Sequence, residues 1–150
     1  MTREIATVSL SVAQDPGHGG PHSHYSIRRG PESYEVSVNI SQFFPSTAER
    51  SFQPSVMTRR LHKDDTEVID FFSRLAVEYR VFELEDRACP HAFLHPAFYK
   101  FRFTDGEEIS HDFEYSVEAG RHHDETYRDL IAEFERFFEA KRIAREFYER

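Results

Sequence analysis

The chain has a single cysteine, Cys89, and no tryptophan. One cysteine excludes an intramolecular disulfide, and with it a small secreted scaffold stapled by such bonds. No run approaches the ~20 apolar residues of a membrane-spanning helix. The first residues, MTREIATVSLSVAQD, hold no apolar stretch of the signal-peptide kind, so a reducing cytoplasm is the expected compartment. Catalytic signatures are also missing. There is no Gly-x-Ser-x-Gly elbow and no His-Glu-x-x-His. The Gly-rich loop lacks the Lys and Ser/Thr of a phosphate-binding loop. Positive charge is the minority sign: 19 basic residues face 27 acidic ones, for a formal net charge of -8. Such a chain repels nucleic acid and anionic membrane, and suits a basic protein surface better.

What is present is aromatic. Fifteen Phe and seven Tyr in 150 residues predict a core built on rings. A single domain, 1–150, is long enough to bury roughly 70% of its unfolded surface. The organising stretch is Ala97 to Val117. Tyr99, Phe101 and Phe103 alternate on one side of a first strand. Ile109, His111, Phe113, Tyr115 and Val117 alternate along a second. That period-2 pattern predicts two half-buried strands. Asp105-Gly106 marks the hairpin between them. A three-residue loop of Thr104, Asp105 and Gly106 keeps all the odd-numbered residues on one face. It pairs Phe103 with Glu107, Phe101 with Ile109 and Tyr99 with His111. Gly106 is then the natural left-handed residue, having no Cβ to clash.

The remaining elements follow from local pattern. Ile5 to Ala13 reads as a strand with Ala6, Val8, Leu10 and Val12 inward. Gln14 to Ser23 is a loop dense in Gly and Pro. Tyr25 to Arg28 is extended, Arg29 to Glu32 is a turn, and Tyr34 to Ile40 alternates as a strand. Between Pro45 and Pro54, Ser46-Thr47-Ala48-Glu49 has the spacing of a capping box, which predicts one helical turn. Asp64 to Tyr79 is a helix with Asp64 as N-cap and Val68, Phe71, Phe72, Leu75, Ala76 and Tyr79 on one face. Val81 to Leu84 continues as extended chain, and Glu85 to Pro96 is a loop. Asp124 opens a last helix striped by Tyr127, Leu130, Ile131, Phe134, Phe137 and Phe138. That helix either breaks near Ala140 or projects toward Arg150, showing Ile143, Phe147 and Tyr148. The expected class is therefore α+β: a largely antiparallel sheet of about five strands with two amphipathic helices packed on one face.

Function is less legible. Glu108, Asp112 and Glu114 fall on the polar side of the hairpin and form an acidic stripe suited to a basic partner. With the exposed aromatics Phe147 and Tyr148 they are the contact candidates of a non-enzymatic protein-binding module, of the immunity or inhibitor kind. The alternatives are a metal-binding domain or metal-dependent enzyme, and a subunit that self-assembles through the last helix. Histidines His22, His24, His91 and His95 are the weak metal candidates, but none completes a zinc pattern. No cofactor is expected. His111, on the apolar side of its strand, reads first as a satisfied core histidine and second as a base or pH-sensitive contact.

Overall fold

The computed structural model describes residues 3–16, 22–43, 52–90, 94–118 and 120–140. Six strands and two α-helices lie among them: β1 (Ile5–Gln14), β2 (His22–Arg29), β3 (Ser33–Phe43), β4 (Phe52–His62), α1 (Thr66–Ser73), β5 (Pro96–Asp105), β6 (Ser110–Glu118) and α2 (Glu125–Ala140). The fold is α+β. All strands join one antiparallel sheet in the order β4-β3-β2-β1-β5-β6. β1 thus lies between β2 and β5, the latter from the far half of the chain.

Alternation sets the two faces of this sheet. Val8, Leu10, Ile27, Val36, Val38, Phe101, Phe103, Phe113, Tyr115 and Val117 are buried. Their cross-strand registers put them on one side. Helix side chains meet that side ring to ring. Phe72 of α1 lies 5.6 Å edge-on from Tyr34. From α2, Phe138 lies 5.0 Å from Tyr25, Phe134 lies 5.8 Å from Phe101, and Tyr127 stacks 4.9 Å from Tyr115. Phe71 stacks on Phe137 at 4.7 Å and ties the helices together. Offset and edge-on pairs of this kind add to plain burial because the ring edge is positive and its face negative.

Several local expectations are corrected. The sheet has six strands rather than about five, because β4 pairs with β3 along Phe52–His62. Its pattern hides it: Pro54 argues against a central strand, and Arg59 falls between Met57 and Leu61 on the inward side. As an edge strand, β4 tolerates a proline, and a long arginine stem can lie along apolar surface. The predicted turn at Ser46-Thr47-Ala48-Glu49 lies outside the described residues. In β1 the register shifts between Ile5 and Thr7, so Ile5 enters the core and Ala6 does not. Helix α1 is capped by Asp65, not Asp64: its carboxylate accepts from Glu67 N and Val68 N. The helix continues as a π-helical segment, Arg74–Glu78, where the Tyr79 N–H reaches back to the Arg74 carbonyl at 3.0 Å. Val81–Glu83 is a 3-10 turn rather than extended chain, entered through Arg80 at φ 51°. Asp124 does open α2, its carboxylate accepting from Thr126 N and Tyr127 N. Continuation beyond Ala140 lies outside the described residues.

The hairpin keeps the predicted faces but slides its loop. Phe103 pairs with His111, Phe101 with Phe113 and Tyr99 with Tyr115. The Asp105 N–H bonds the Ile109 carbonyl at 3.1 Å, and the Glu108 N–H bonds the Asp105 carbonyl at 3.1 Å. The three-residue loop is therefore Gly106 to Glu108, and the left-handed residue is Glu108 at φ 63°. Asp105 sets this register. Its buried carboxylate accepts from Glu107 N and Ile109 N and meets Arg3 at 2.8 Å. These donors, the Ile109 N–H first, hold its pKa below the ordinary carboxylate value. Ile109, just past the loop, is left 55% exposed. A side chain at positive φ costs energy that glycine avoids. Glu108→Gly is expected to stabilise the protein by about 0.5–1 kcal/mol. A higher urea midpoint at unchanged m-value would show it, and a lower midpoint would refute the loop assignment.

The far side of β6 is covered. Arg87 runs parallel to it, its N–H bonding the Glu114 carbonyl and its carbonyl accepting from Ser116 N. Asp86 adds a side-chain acceptor for Glu114 N at 2.8 Å. What reads as loop in the sequence thus satisfies part of a sheet edge.

Candidate functional site

The second face of the sheet carries the even-numbered side chains of β2, β4, β5 and β6 and the odd-numbered ones of β1 and β3. Apart from Ile5, which the register shift in β1 turns into the core, all whose burial is described are exposed or half-buried. Serine, threonine, histidine and charge dominate. Two rows matter most. Asn39, His24, Ser11, Lys100 and Glu114 are successive cross-strand neighbours over β3, β2, β1, β5 and β6. Ser37, Ser26, Ser9, Arg102 and Asp112 form the adjoining row.

Two shallow depressions open on these rows. One, of about 530 Å³, is lined by Ser9, Ser11, His24, Asp86, Lys100, Arg102, Asp112 and Glu114. The other, of about 370 Å³, is lined by His22, His24, Asn39, Ser11, Phe98 and Lys100 among others. Both share Ser11, His24 and Lys100. Both have the size of ligand or side-chain recesses, though they are open rather than enclosed.

The acidic candidates lie here but are not a bare stripe. Arg102 grips Asp112 with two bonds, Nε to Oδ1 at 2.9 Å and Nη2 to Oδ2 at 2.8 Å. This guanidinium lowers the Asp112 pKa. Lys100 Nζ lies 3.4 Å from Glu114. Glu108 stands apart at the hairpin tip. Phe147 and Tyr148 lie outside the described residues, so the structure brings together only Asp112 and Glu114 of the five.

The histidines separate. His22 and His24 alternate onto the open face of β2, and His24 Nδ1 lies 2.7 Å from Ser11 Oγ. Loss of water around its ring lowers the His24 pKa. His95 pairs with Asp15 at 2.9 Å. The neighbouring Glu118 carboxylate accepts from the Leu94 and His95 backbone N–H groups. His91 lies outside the described residues. Among the described residues, no three His, Cys, Asp or Glu side chains converge with metal-binding spacing. His111 is half-buried and its Nε2–H donates to the Leu84 carbonyl at 2.6 Å, which ties β6 to the segment after α1. It faces Phe103, not Tyr99. Cys89 is a free, half-buried thiol whose backbone N–H bonds Ser116 Oγ.

Sequence reasoning missed Ser11, Lys100 and Arg102. The alternation of each strand does place them outward. What joins them to His24, Asp112 and Glu114 is the strand order, and no local pattern states that β1 lies between β2 and β5.

Comparison with known proteins yields no match to a family model, a curated protein or a solved structure. No helix among the described residues is long and apolar enough to cross a membrane.

Proposed function

We propose that the chain is a cytoplasmic protein-binding module that docks a partner with a basic surface, in the manner of an immunity or inhibitor protein. In this reading both helices cover one face of the sheet, and the polar face is the docking surface. The observation that carries it is the pairing of Asp112 with Arg102 and Glu114 with Lys100 over a recessed, serine-rich floor. Cross-strand ion pairs hold side chains in fixed positions, which favours specificity and encounter rate more than raw affinity. A basic partner would meet carboxylates that are oriented before it arrives. The chain's net charge of -8 favours its approach.

The test is capture of partners from the source lysate at low and moderate salt, with wild type and the double variant Asp112→Lys/Glu114→Lys in parallel. One stoichiometric basic protein should be retained by the wild type. Its association rate should fall roughly tenfold in the double variant at low salt, because steering depends on summed charge. Equal rates would remove the two carboxylates from the interface. No retained partner at either salt would overturn the binding reading.

A further inference from the structure

We infer that Ser11 is a nucleophile activated by His24, and that this face accepts small acyl esters in the recess beside Lys100. The carrying observation is a row, not a motif. Across three adjacent strands stand a base, a hydroxyl and a cation: His24 on β2, Ser11 on β1 and Lys100 on β5. Directly opposed residues in a sheet hold their Cβ atoms roughly 5 Å apart, close enough for their side chains to come within hydrogen-bond reach. The first link is made: Ser11 Oγ lies 2.7 Å from His24 Nδ1. That is within the reach required of a general base. Loss of water disfavours the imidazolium, and in the tautomer protonated on Nε2 the neutral ring accepts the Ser11 proton at Nδ1. Lys100 lines both depressions that border Ser11, and its ammonium, 3.4 Å from Glu114, is the nearby cation that can swing to an oxyanion forming there. Asn39 continues the row beyond His24.

The step balances without a cofactor. Ser11 Oγ attacks the ester carbonyl carbon, and its proton passes to His24 Nδ1. The oxyanion forms beside Lys100. The bond from carbon to the alkoxy oxygen breaks, and the leaving oxygen takes the proton from His24. Water then adds to the acyl-Ser11 carbonyl, giving its proton to His24. The carbon–Oγ bond breaks and Ser11 recovers that proton. The net change is ester plus water to acid plus alcohol. Nothing in this requires the partner proposed above, so the two readings fail independently.

The experiment uses the full chain and p-nitrophenyl acetate. Release of p-nitrophenolate is followed, and the acetylated residue is located by peptide mass mapping. Acetyl on Ser11 is expected. His24→Gln is expected to slow its formation roughly 100-fold, the usual contribution of a general base. Ser11→Ala should abolish that adduct, and Ser9→Ala, one row away on the same strand, should leave it unchanged. All three side chains are outside the core, and urea midpoints of the variants check folding. Acetyl found only on lysine or tyrosine overturns the assignment. So does acetylation of Ser11 at equal rates in wild type and a folded His24→Gln.

Discussion

Phe101→Ala is expected to lower the unfolding free energy by about 3–5 kcal/mol, while Ile109→Ala changes it by less than about 0.5 kcal/mol. The contrast follows from the hairpin register. Phe101 is 2% exposed. Its ring stacks 4.9 Å from Phe113 and 6.3 Å from Phe103, and meets Phe134 at 5.8 Å. Removing it leaves a cavity that rigid rings on β5, β6 and α2 cannot collapse to fill. A domain of this size has only about 5–15 kcal/mol to lose. Ile109 lies between the loop and β6 with its side chain exposed, and contributes little. Had the loop been Thr104 to Gly106, Ile109 would sit opposite Phe101 in the core and both substitutions would be costly. Urea unfolding of the two variants decides between the registers. A loss of about 2 kcal/mol or more for Ile109→Ala would refute the structure of this hairpin.

The hairpin also shows where sequence legibility ends. Which strand residues face inward was readable, Ile109 excepted, because parity survives a two-residue slide of the loop at each strand. The loop position was not, because the turn rule favours glycine at positive φ while the chain uses Glu108. What wins is Asp105: one carboxylate accepting two loop N–H groups and an Arg3 contact from the start of the chain. That is a tertiary constraint, and a propensity window does not contain it. The same holds for β4, whose strand is specified by pairing with β3 more than by its own alternation. The helices were readable because Val68, Phe71, Phe72 and Leu75, and Leu130, Ile131, Phe134 and Phe138, repeat at helical spacing. The π-helical widening after Ser73 leaves that spacing nearly intact, so periodicity cannot reveal it. At the candidate site, the carboxylates are visible in the sequence, but their pairing with Arg102 and Lys100 depends on the hairpin register. Each partner lies on the adjoining strand of the same hairpin, opposite its acid. The Ser11–His24 pair needed only the β1–β2 register, but the Gly-rich loop between those strands leaves that register unspecified.

Tyr79 and Glu133 lock the π-helical segment to α2, and both the variant and the pH response follow from how they do it. Glu133 is 6% exposed, yet it is not stranded. Arg74 Nη2 reaches it at 2.7 Å, Arg136 Nη1 at 2.9 Å and the Tyr79 hydroxyl at 3.3 Å. Glu133→Ala removes the shared acceptor. Arg136 can turn to water, but Tyr79 and Arg74 lose their common partner beside apolar rings. The expected loss is about 2 kcal/mol, below that of a fully buried ion pair because both arginines are partly solvated. Tyr79 itself is held neutral. Burial first, then the Glu133 charge, push its pKa up to about 12 from 10.0. The folded state therefore keeps a proton that the unfolded state releases. Its stabilising share is complete below pH 10 and is lost as pH rises toward 12. Full conversion of that shift would exceed 2 kcal/mol, but solvent near the hydroxyl reduces the expected loss to about 1 kcal/mol. Tyr99, Tyr115 and Tyr127 are shifted the same way by burial, so the alkaline transition is shared. Urea midpoints measured from pH 8 to 12 should fall steeply above 10 for the wild type. Tyr79→Phe should fall less steeply over the same range, since the titrating hydroxyl is gone. Equal slopes would show that the Tyr79 proton is not part of the lock, whereas a pH-independent 2 kcal/mol loss in Glu133→Ala would leave the two arginines as its only working partners.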